Sequence, residues 1–358
     1  MSLVSPSAST PAPMPGPAAA LRTVDYHTGG EPFRIVLDGV PEIPGTTVLD
    51  RRAHASTHDE VDVVRRLLCQ EPRGHADMYG CFLVPPNPVA DGEPPAHLAV
   101  LFWHKDGYST ACGHGTIALG AWAVHSGLVA AEPDGETEVR IDVPSGRVVA
   151  RVQCTGGRVS AVTFRNVPSW VVARSVPLRT SRGHVTVDVA YGGAIYATLP
   201  AAAVGLAVTP EHYGELIAIG REIKWALNEH EVARHPEDAR LSGIYGTILV
   251  DDLGELETGP HQRNVTVFAD GEVDRSPCGS GTSARLALLA AEGRVGGDRV
   301  LTHDSIVGSR FIGRVVSSGH DGTRQVVVPE VTGTAFRTGE HSFVLDPDDD
   351  LETGFVLR

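Results

Sequence analysis

One ten-residue pattern occurs twice in this chain of 358 residues, and it constrains the possible folds more than any other feature. The copies begin at Cys112 and Cys278, and both read C-G-x-G-T-x-A-x-x-A. The two cysteines lie 166 residues apart, which is close to half of the chain. A repeat at that distance predicts two similar domains, each of which contributes one cysteine.

Each copy passes from glycine-rich sequence into sequence rich in Ala and Leu, which predicts helices over residues 116–124 and 282–292. Each cysteine then lies at or just before a helix N-terminus, where unpaired N–H groups and the positive dipole end stabilise a thiolate and hold a carboxylate. Two such ends facing each other would clamp one carboxylate and place a sulfur on each side of the neighbouring carbon. That arrangement moves a proton from one face of a Cα to the other, while fixed N–H groups stabilise the charge that develops.

Two polar residues close to these cysteines each allow two roles. His114 either contributes only its backbone N–H or touches a substrate with its ring, and Asp274 either caps a turn or accepts a hydrogen bond from a substrate nitrogen. The remaining cysteines are expected to be buried core residues, namely Cys69, Cys81 and Cys154. Because five is an odd number and no C-x-x-C spacing occurs, we expect neither a disulfide framework nor a metal site.

Composition excludes several classes of protein. The net charge of −14 disfavours binding to nucleic acid or to an anionic membrane surface. No run approaches the roughly 18 to 20 apolar residues of a spanning helix. Residues 1–20 are rich in Ser, Ala and Pro without the pattern of an export signal, so we expect a flexible, disordered tail and a cytoplasmic protein with free thiols.

The remaining pattern is that of an α+β protein with many strands and few long helices. Short apolar runs bounded by Gly or Pro predict strands along most of the chain, and residues Thr209 to His230 predict a long helix. Only two lysines occur, Lys105 and Lys224, so only these could form an aldimine with pyridoxal phosphate. We expect Lys105 at the surface.

Four segments resemble the proline racemase family, which includes proline racemases, 4-hydroxyproline 2-epimerases and trans-3-hydroxy-L-proline dehydratases. The resemblance runs from about Val24 to Arg358. It is carried by Asp25-Tyr-His-Thr-Gly-Gly-Glu-Pro, Glu71-Pro-Arg-Gly-His-Ala-Asp-Met-Tyr-Gly, Cys112-Gly-His and Asp274-Arg-Ser-Pro-Cys-Gly-Ser-Gly-Thr-Ser-Ala-Arg. The last segment is highly specific.

The resemblance implies two pseudo-symmetric α/β domains of the diaminopimelate epimerase-like type. Each wraps strands around a central helix, and the active site lies in the cleft between them. We place the N-terminal half at residues 21–168 together with 340–358, carrying Cys112, and the C-terminal half at residues 169–339, carrying Cys278. The family implies a homodimer that uses no cofactor and acts on a small imino acid.

By family role, Cys112 and Cys278 form the acid and base pair. The resemblance also implies that backbone groups of four residues hold the substrate carboxylate, namely Gly113, His114, Gly279 and Ser280. Asp274 would then engage the imino nitrogen, and Tyr79 and Phe268 resemble walls of the ring pocket.

Two features bear on which branch of the family the chain resembles, and they point to different branches. The flanking segments look most like the dehydratases, but those typically carry Thr where this chain has Cys278. A thiol, with a reference pKa of about 8.5, exchanges protons near neutral pH far better than a hydroxyl does. We therefore expect a racemase or epimerase of proline or a hydroxyproline, with trans-3-hydroxy-L-proline dehydration, using Cys112 as base, as the alternative. The same residues would also suit an inactive imino-acid-binding protein or an epimerase that acts on a longer amino acid.

Overall fold

The computed structural model describes residues 20–357. The tail predicted for residues 1–20 therefore lies outside the described residues, apart from Ala20. Within the described part of the chain, no helix is both long and apolar enough to cross a membrane.

Within residues 20–357, five α-helices, α1 to α5, are joined by many strands. In chain order they are Val48–Ala55, Asp59–Cys69, Gly113–His125, Tyr213–Asn228 and Gly279–Ala291. Short 3-10 turns occupy Ala201–Val204, Pro210–His212, Glu231–Ala233 and Ala239–Leu241.

Eighteen strands form one continuous hydrogen-bonded network across the described residues. Strands β1 to β8 are Leu21–Thr28, Glu31–Asp38, Tyr79–Val84, Leu98–His104, Gly107–Tyr108, Gly135–Val143, Gly146–Thr155 and Arg158–Arg165. Strands β9 to β17 are Trp170–Thr180, Gly183–Tyr191, Ile195–Pro200, Ile244–Leu256, Gly259–Phe268, Glu272–Asp274, Leu301–Ser305, Arg310–Asp321 and Arg324–Gly333. The last strand, β18, is Ala335–Phe343.

The strand pairings repeat from the first part of the chain to the second. Strands β2 and β3 are parallel, β3 and β4 antiparallel, and β4 and β6 parallel, followed by the antiparallel pairs β6–β7 and β7–β8. The same succession recurs in β11–β12, β12–β13, β13–β15, β15–β16 and β16–β17. Strand β1 pairs with β18 in the first set of strands, as β10 pairs with β9 in the second. The two sets are the two repeated units of the fold, and the pairing of β8 with β17 joins them.

Helices α3 and α5 occupy equivalent places in the two units. Helix α3 packs against β1, β2, β6, β7, β8 and β18, while α5 packs against β9, β10, β11, β16 and β17. Helix α3 is apolar on all sides, and its Ile117, Leu119 and Ala121 are fully buried, as expected for a helix surrounded by strands. Burial of these two helices therefore forms the main core and fixes where their N-termini point.

The predicted helix over Thr209 to His230 is shorter in the structure. Pro210 starts a 3-10 turn, and His212, with φ −92° and ψ 5°, leaves the α-helical path before α4 begins at Tyr213. At the other end, the Asn228 side chain accepts the Ile244 N–H at 2.8 Å. The backbone conformation of His212 and this long-range hydrogen bond were not visible in the local sequence pattern.

Candidate active site

Both repeated cysteines are N-cap residues of buried helices. The Sγ atom of Cys112 accepts the Gly115 N–H at 3.1 Å, and that of Cys278 accepts the Gly281 N–H at 3.3 Å. The prediction that each cysteine lies at a helix N-terminus is therefore confirmed. Cys278 has φ +62°, a conformation that costs a non-glycine residue about 1–3 kcal/mol and occurs most often at functional sites.

The N-termini of α3 and α5 touch each other through glycine. A Cβ atom added to Gly113 would lie 2.5 Å from the Gly279 Cα, and one added to Gly279 would lie 2.6 Å from the Gly113 Cα. Only residues without a side chain allow this approach. The first-turn N–H groups of both helices, which have no partner within their helix, therefore converge on one place.

A small cavity, partly open to solvent, lies at this meeting point. It is lined by Tyr79, Ala111, Cys112, Gly113, His114, Tyr196, Tyr245, Phe268, Asp274, Cys278 and Ser280. The structure thus brings eight of the nine predicted site residues into one cavity. Gly279, the ninth, lies at the contact between the helices and is not among the lining residues.

His114 and Asp274 form a buried polar pair beside Cys112. The His114 ring nitrogens lie 3.4 and 3.5 Å from the Cys112 sulfur, and Nδ1 lies 3.4 Å from Asp274 Oδ2. The other oxygen of Asp274 accepts the N–H and hydroxyl of Ser276 at 2.8 and 2.7 Å. Asp274 therefore caps its turn with one oxygen and presents the other to the cavity and His114. The capping role is confirmed, and the contact with a substrate nitrogen stays a prediction.

Ionisation of the three groups is set by burial and by neighbouring charges. Burial raises the pKa of the Cys112 thiol well above its usual value, and the Gly115 N–H only partly offsets this. Burial, together with the negative charge of Asp274, also raises the pKa of Cys278. Burial opposes ionisation of Asp274 as well, but its electrostatic interaction and hydrogen bond with His114 hold the pKa of that carboxyl below its usual range.

These directions correct the expectation of a thiolate stabilised by the helix end. Burial of each sulfur outweighs the single backbone N–H that it accepts, so both cysteines are thiols at neutral pH. A cationic substrate nitrogen close to the cavity would shift the balance towards the thiolate. The remaining cysteines are buried, as predicted: Cys69, Cys81 and Cys154.

The cavity walls contain two tyrosines that sequence reasoning missed. Tyr245 stacks on Phe268 with ring centroids 5.6 Å apart, and its hydroxyl lies 3.1 Å from that of Tyr79. Tyr196 packs edge-on against Tyr245 and lies with its hydroxyl 3.9 Å from the Cys278 sulfur. A second internal repeat would have indicated Tyr245, because Y-G-x-x-L-V begins at Tyr79 and again 166 residues later.

Three side chains beside the aromatic wall have the spacing of metal ligands. Ligand atoms of His104, Asp106 and Glu272 all lie within 4.8 Å of one another. The Lys105 ammonium already bonds Asp106 at 2.6 Å, and burial raises the pKa of Glu272 well above its usual value. Since a protonated carboxyl is a poor ligand, we assign no metal to this cluster. Lys105 is only 7% exposed, so the expectation of a surface lysine is wrong; the ion pair with Asp106 compensates its burial.

The fold and the cavity define a class of protein: an enzyme with a repeated α+β unit and two helix-capping cysteines in one site. The family model described as "Proline racemase" matches residues 23–356. A trans-3-hydroxy-L-proline dehydratase of Bacillus cereus is 43% identical over 94% of this chain and 97% of its own length. A 3-hydroxyproline 2-epimerase of Burkholderia multivorans is 44% identical over 95% of this chain and 98% of its own length.

A solved structure gives the same result. The hydroxyproline epimerase of Agrobacterium vitis, crystallised with trans-4-hydroxy-L-proline, superposes with a TM-score of 0.85 at 32% identity over 94% of this chain and 96% of that one. The chain belongs to the proline racemase family. The resemblance and the fold class predicted from the sequence are thereby confirmed.

Proposed function

We propose that this enzyme inverts the Cα of proline or a hydroxyproline without a cofactor, using Cys112 and Cys278 as acid and base. One observation carries the proposal: the two cysteines cap two helices whose N-termini touch, and both line the same cavity. The chain offers two equivalent thiols, and inversion is the reaction that requires one on each face of the substrate carbon.

The substrate carboxylate is held by the first-turn N–H groups of both helices, from Gly113 and His114 on one side and from Gly279 and Ser280 on the other. Asp274, kept ionised by His114, accepts a hydrogen bond from the substrate nitrogen. These contacts fix the ring between the aromatic walls. The same N–H groups strengthen their hydrogen bonds as negative charge moves onto the carboxylate in the transition state.

One cysteine, as thiolate, then removes the Cα proton, and the pair of electrons from the broken C–H bond moves towards the carboxylate. The other cysteine, as thiol, gives its proton to the opposite face of the same carbon. At the end of the reaction the first cysteine is a thiol and the second is a thiolate. The reaction therefore runs in either direction. General acid–base catalysis of this kind depends first on the position of the groups and then on their pKa values.

The second candidate function is dehydration of trans-3-hydroxy-L-proline. It is favoured by the relatives of that name, including the one from Bacillus cereus. In this reaction Cys112 removes the Cα proton, the electron pair of the C–H bond forms a double bond to the neighbouring carbon, and the proton and the hydroxyl are lost together as water. The enamine then tautomerises to a cyclic imine, so no base is needed on the second face. Cys278, in place of the Thr typical of that branch, is the feature that favours inversion.

Proton NMR in D₂O separates the two functions. L-Proline, trans-4-hydroxy-L-proline and trans-3-hydroxy-L-proline are incubated with the enzyme in separate tubes. Inversion predicts loss of the Cα signal while the ring remains intact or is epimerised. Signals of a cyclic imine from the 3-hydroxy substrate would instead identify a dehydratase, and binding without deuterium exchange would indicate an inactive relative.

We further propose that the enzyme is a cytoplasmic homodimer and that its two units are divided near residues 168 and 340. Sedimentation of the purified protein tests the dimer, and limited proteolysis tests the division.

A further inference from the structure

A second and larger cavity opens next to the catalytic one. This outer cleft, partly open to solvent, is lined among others by Arg52, His104, Asp106, Lys224, Trp225 and Asp270. Tyr245 lines both cavities. The outer cleft is much larger than the catalytic cavity, and none of the proposed catalytic groups lies in it.

The acidic side chains of the outer cleft are already compensated. Asp106 bonds the Lys105 ammonium at 2.6 Å and accepts the Asp270 N–H at 2.8 Å. The Asp270 carboxylate accepts hydrogen bonds at 2.8 Å from Arg221 and from the Trp225 indole. Burial lowers the pKa of His104 well below its usual value, so this ring is neutral at neutral pH.

Neither of the two remaining cations forms an ion pair with a described residue. The charges of Asp270 and Asp106, which are both bonded to other groups, favour the charged form of Lys224 without contacting it. Among the described residues, the Lys224 ammonium has no hydrogen-bond or ion-pair partner; it lies 3.8 Å from the centre of the Trp225 ring. Lys224 is only 6% exposed, and burial lowers its pKa to about 8, so the side chain is still mainly charged at pH 7. In the part of the chain that the structure describes, Arg52 donates only to backbone carbonyls, those of Tyr108 and Arg240.

A buried ammonium without a hydrogen-bond or ion-pair partner is costly, and the cost falls when an anion binds beside it. We propose that the outer cleft is a binding site for a small oxyanion, a carboxylate or a phosphate, held by Lys224 with Arg52 as the second positive charge. Two sources supply such a group: free inorganic phosphate, or the carboxylate of an imino acid before it passes Tyr245 into the catalytic cavity. Only the second source rests on the proposed function.

Trp225 provides the readout, because its ring touches Lys224 and is 49% exposed in the cleft. Tryptophan fluorescence of the full-length enzyme is titrated at constant ionic strength with inorganic phosphate, with L-proline, and with pyrrolidine, which lacks the carboxylate. Trp225→Phe identifies the part of the signal that arises in the cleft. Lys224→Met removes the ammonium, Lys224→Arg keeps the charge, and Arg158→Met removes one positive charge from the distant, exposed β7–β8 hairpin.

The proposal predicts a saturable change with phosphate or with L-proline, but not with pyrrolidine. Binding should weaken by about 10-fold or more in Lys224→Met, as expected for loss of a charged hydrogen bond, and persist in Lys224→Arg and Arg158→Met. A response to phosphate identifies the free anion as a ligand, and a response to L-proline alone identifies the imino acid. No saturable response, or equal responses in wild type and Lys224→Met, would overturn the proposal. Imino-acid turnover, measured separately, shows whether the proposed function itself has failed.

Discussion

The contact between the two helix N-termini can be tested with a single methyl group. In Gly113→Ala the new Cβ would lie 2.5 Å from the Gly279 Cα, 2.6 Å from its carbonyl carbon and 2.7 Å from the Ser280 nitrogen. All three atoms are backbone, so no side chain can rotate away. Because comfortable carbon contacts begin at about 3.5 Å, the helices must separate by about 1 Å.

That separation has two consequences. Overpacking of this size destabilises a protein by about 1–3 kcal/mol. A shift of about 1 Å between Cys112 and Cys278 reduces the rate of proton transfer by about 100-fold, because reacting groups must be held within a narrow range of positions. Exchange of the substrate Cα proton in D₂O, followed by NMR, measures the rate, and denaturant unfolding measures stability.

Gly214→Ala is the matched control. Gly214 is a helical glycine of α4 with nothing within 4 Å of an added Cβ, so this variant should keep full activity and gain up to about 1 kcal/mol. If Gly113→Ala exchanges the Cα proton at the wild-type rate with unchanged stability, the helix ends are not in the close contact described above, and the reasoning fails.

Three further predictions follow from the same site. Asp274→Asn should lower kcat/KM by about 10-fold or more in initial-rate assays, because the substrate nitrogen loses a charged partner. Tyr245→Phe removes the hydroxyl contact with Tyr79 but keeps the ring, so unfolding in urea should show a loss of about 1 kcal/mol; no loss would exclude that hydrogen bond. Since burial raises the pKa of both Cys112 and Cys278, the thiolate fraction is small at pH 7 and grows with pH. The value of kcat/KM should therefore rise by up to about tenfold per pH unit into the alkaline range. A flat profile from pH 6 to 9 would contradict the assigned ionisation.

The sequence predicted those residues of the site that belong to the repeated cysteine motif. Cys112 and Cys278 were found because C-G-x-G-T occurs twice, and glycine and alanine spacing was enough to place each at a helix start. Tyr245 was missed although its Tyr-Gly pair repeats that of Tyr79, since the segment was interpreted only as a strand. Tyr196 carries no repeat signal, and only the parallel pairing of β11 with β12 brings it to the cavity.

Burial depth was the property that local patterns could not supply. The helix dipole predicted an easily ionised thiol at Cys112, but the competing desolvation depends on how completely two distant parts of the chain close over the sulfur. Lys105 was expected at the surface for the same reason. Its burial depends on Asp106 and on the Asp270 carbonyl, which lies 165 residues further along the chain.

The central claim is that both cysteines transfer protons, and single-cysteine variants test it most directly. Cys112→Ala and Cys278→Ala, each shown to be folded by near-ultraviolet circular dichroism, are given an enantiopure substrate that the wild-type enzyme converts. Optical rotation then follows the appearance of the other stereoisomer. The account predicts that each variant loses inversion by at least about 1000-fold, since either face of the Cα is left without its proton donor or acceptor. Inversion at the wild-type rate in either variant, or turnover to a cyclic imine that survives in Cys278→Ala, would contradict it.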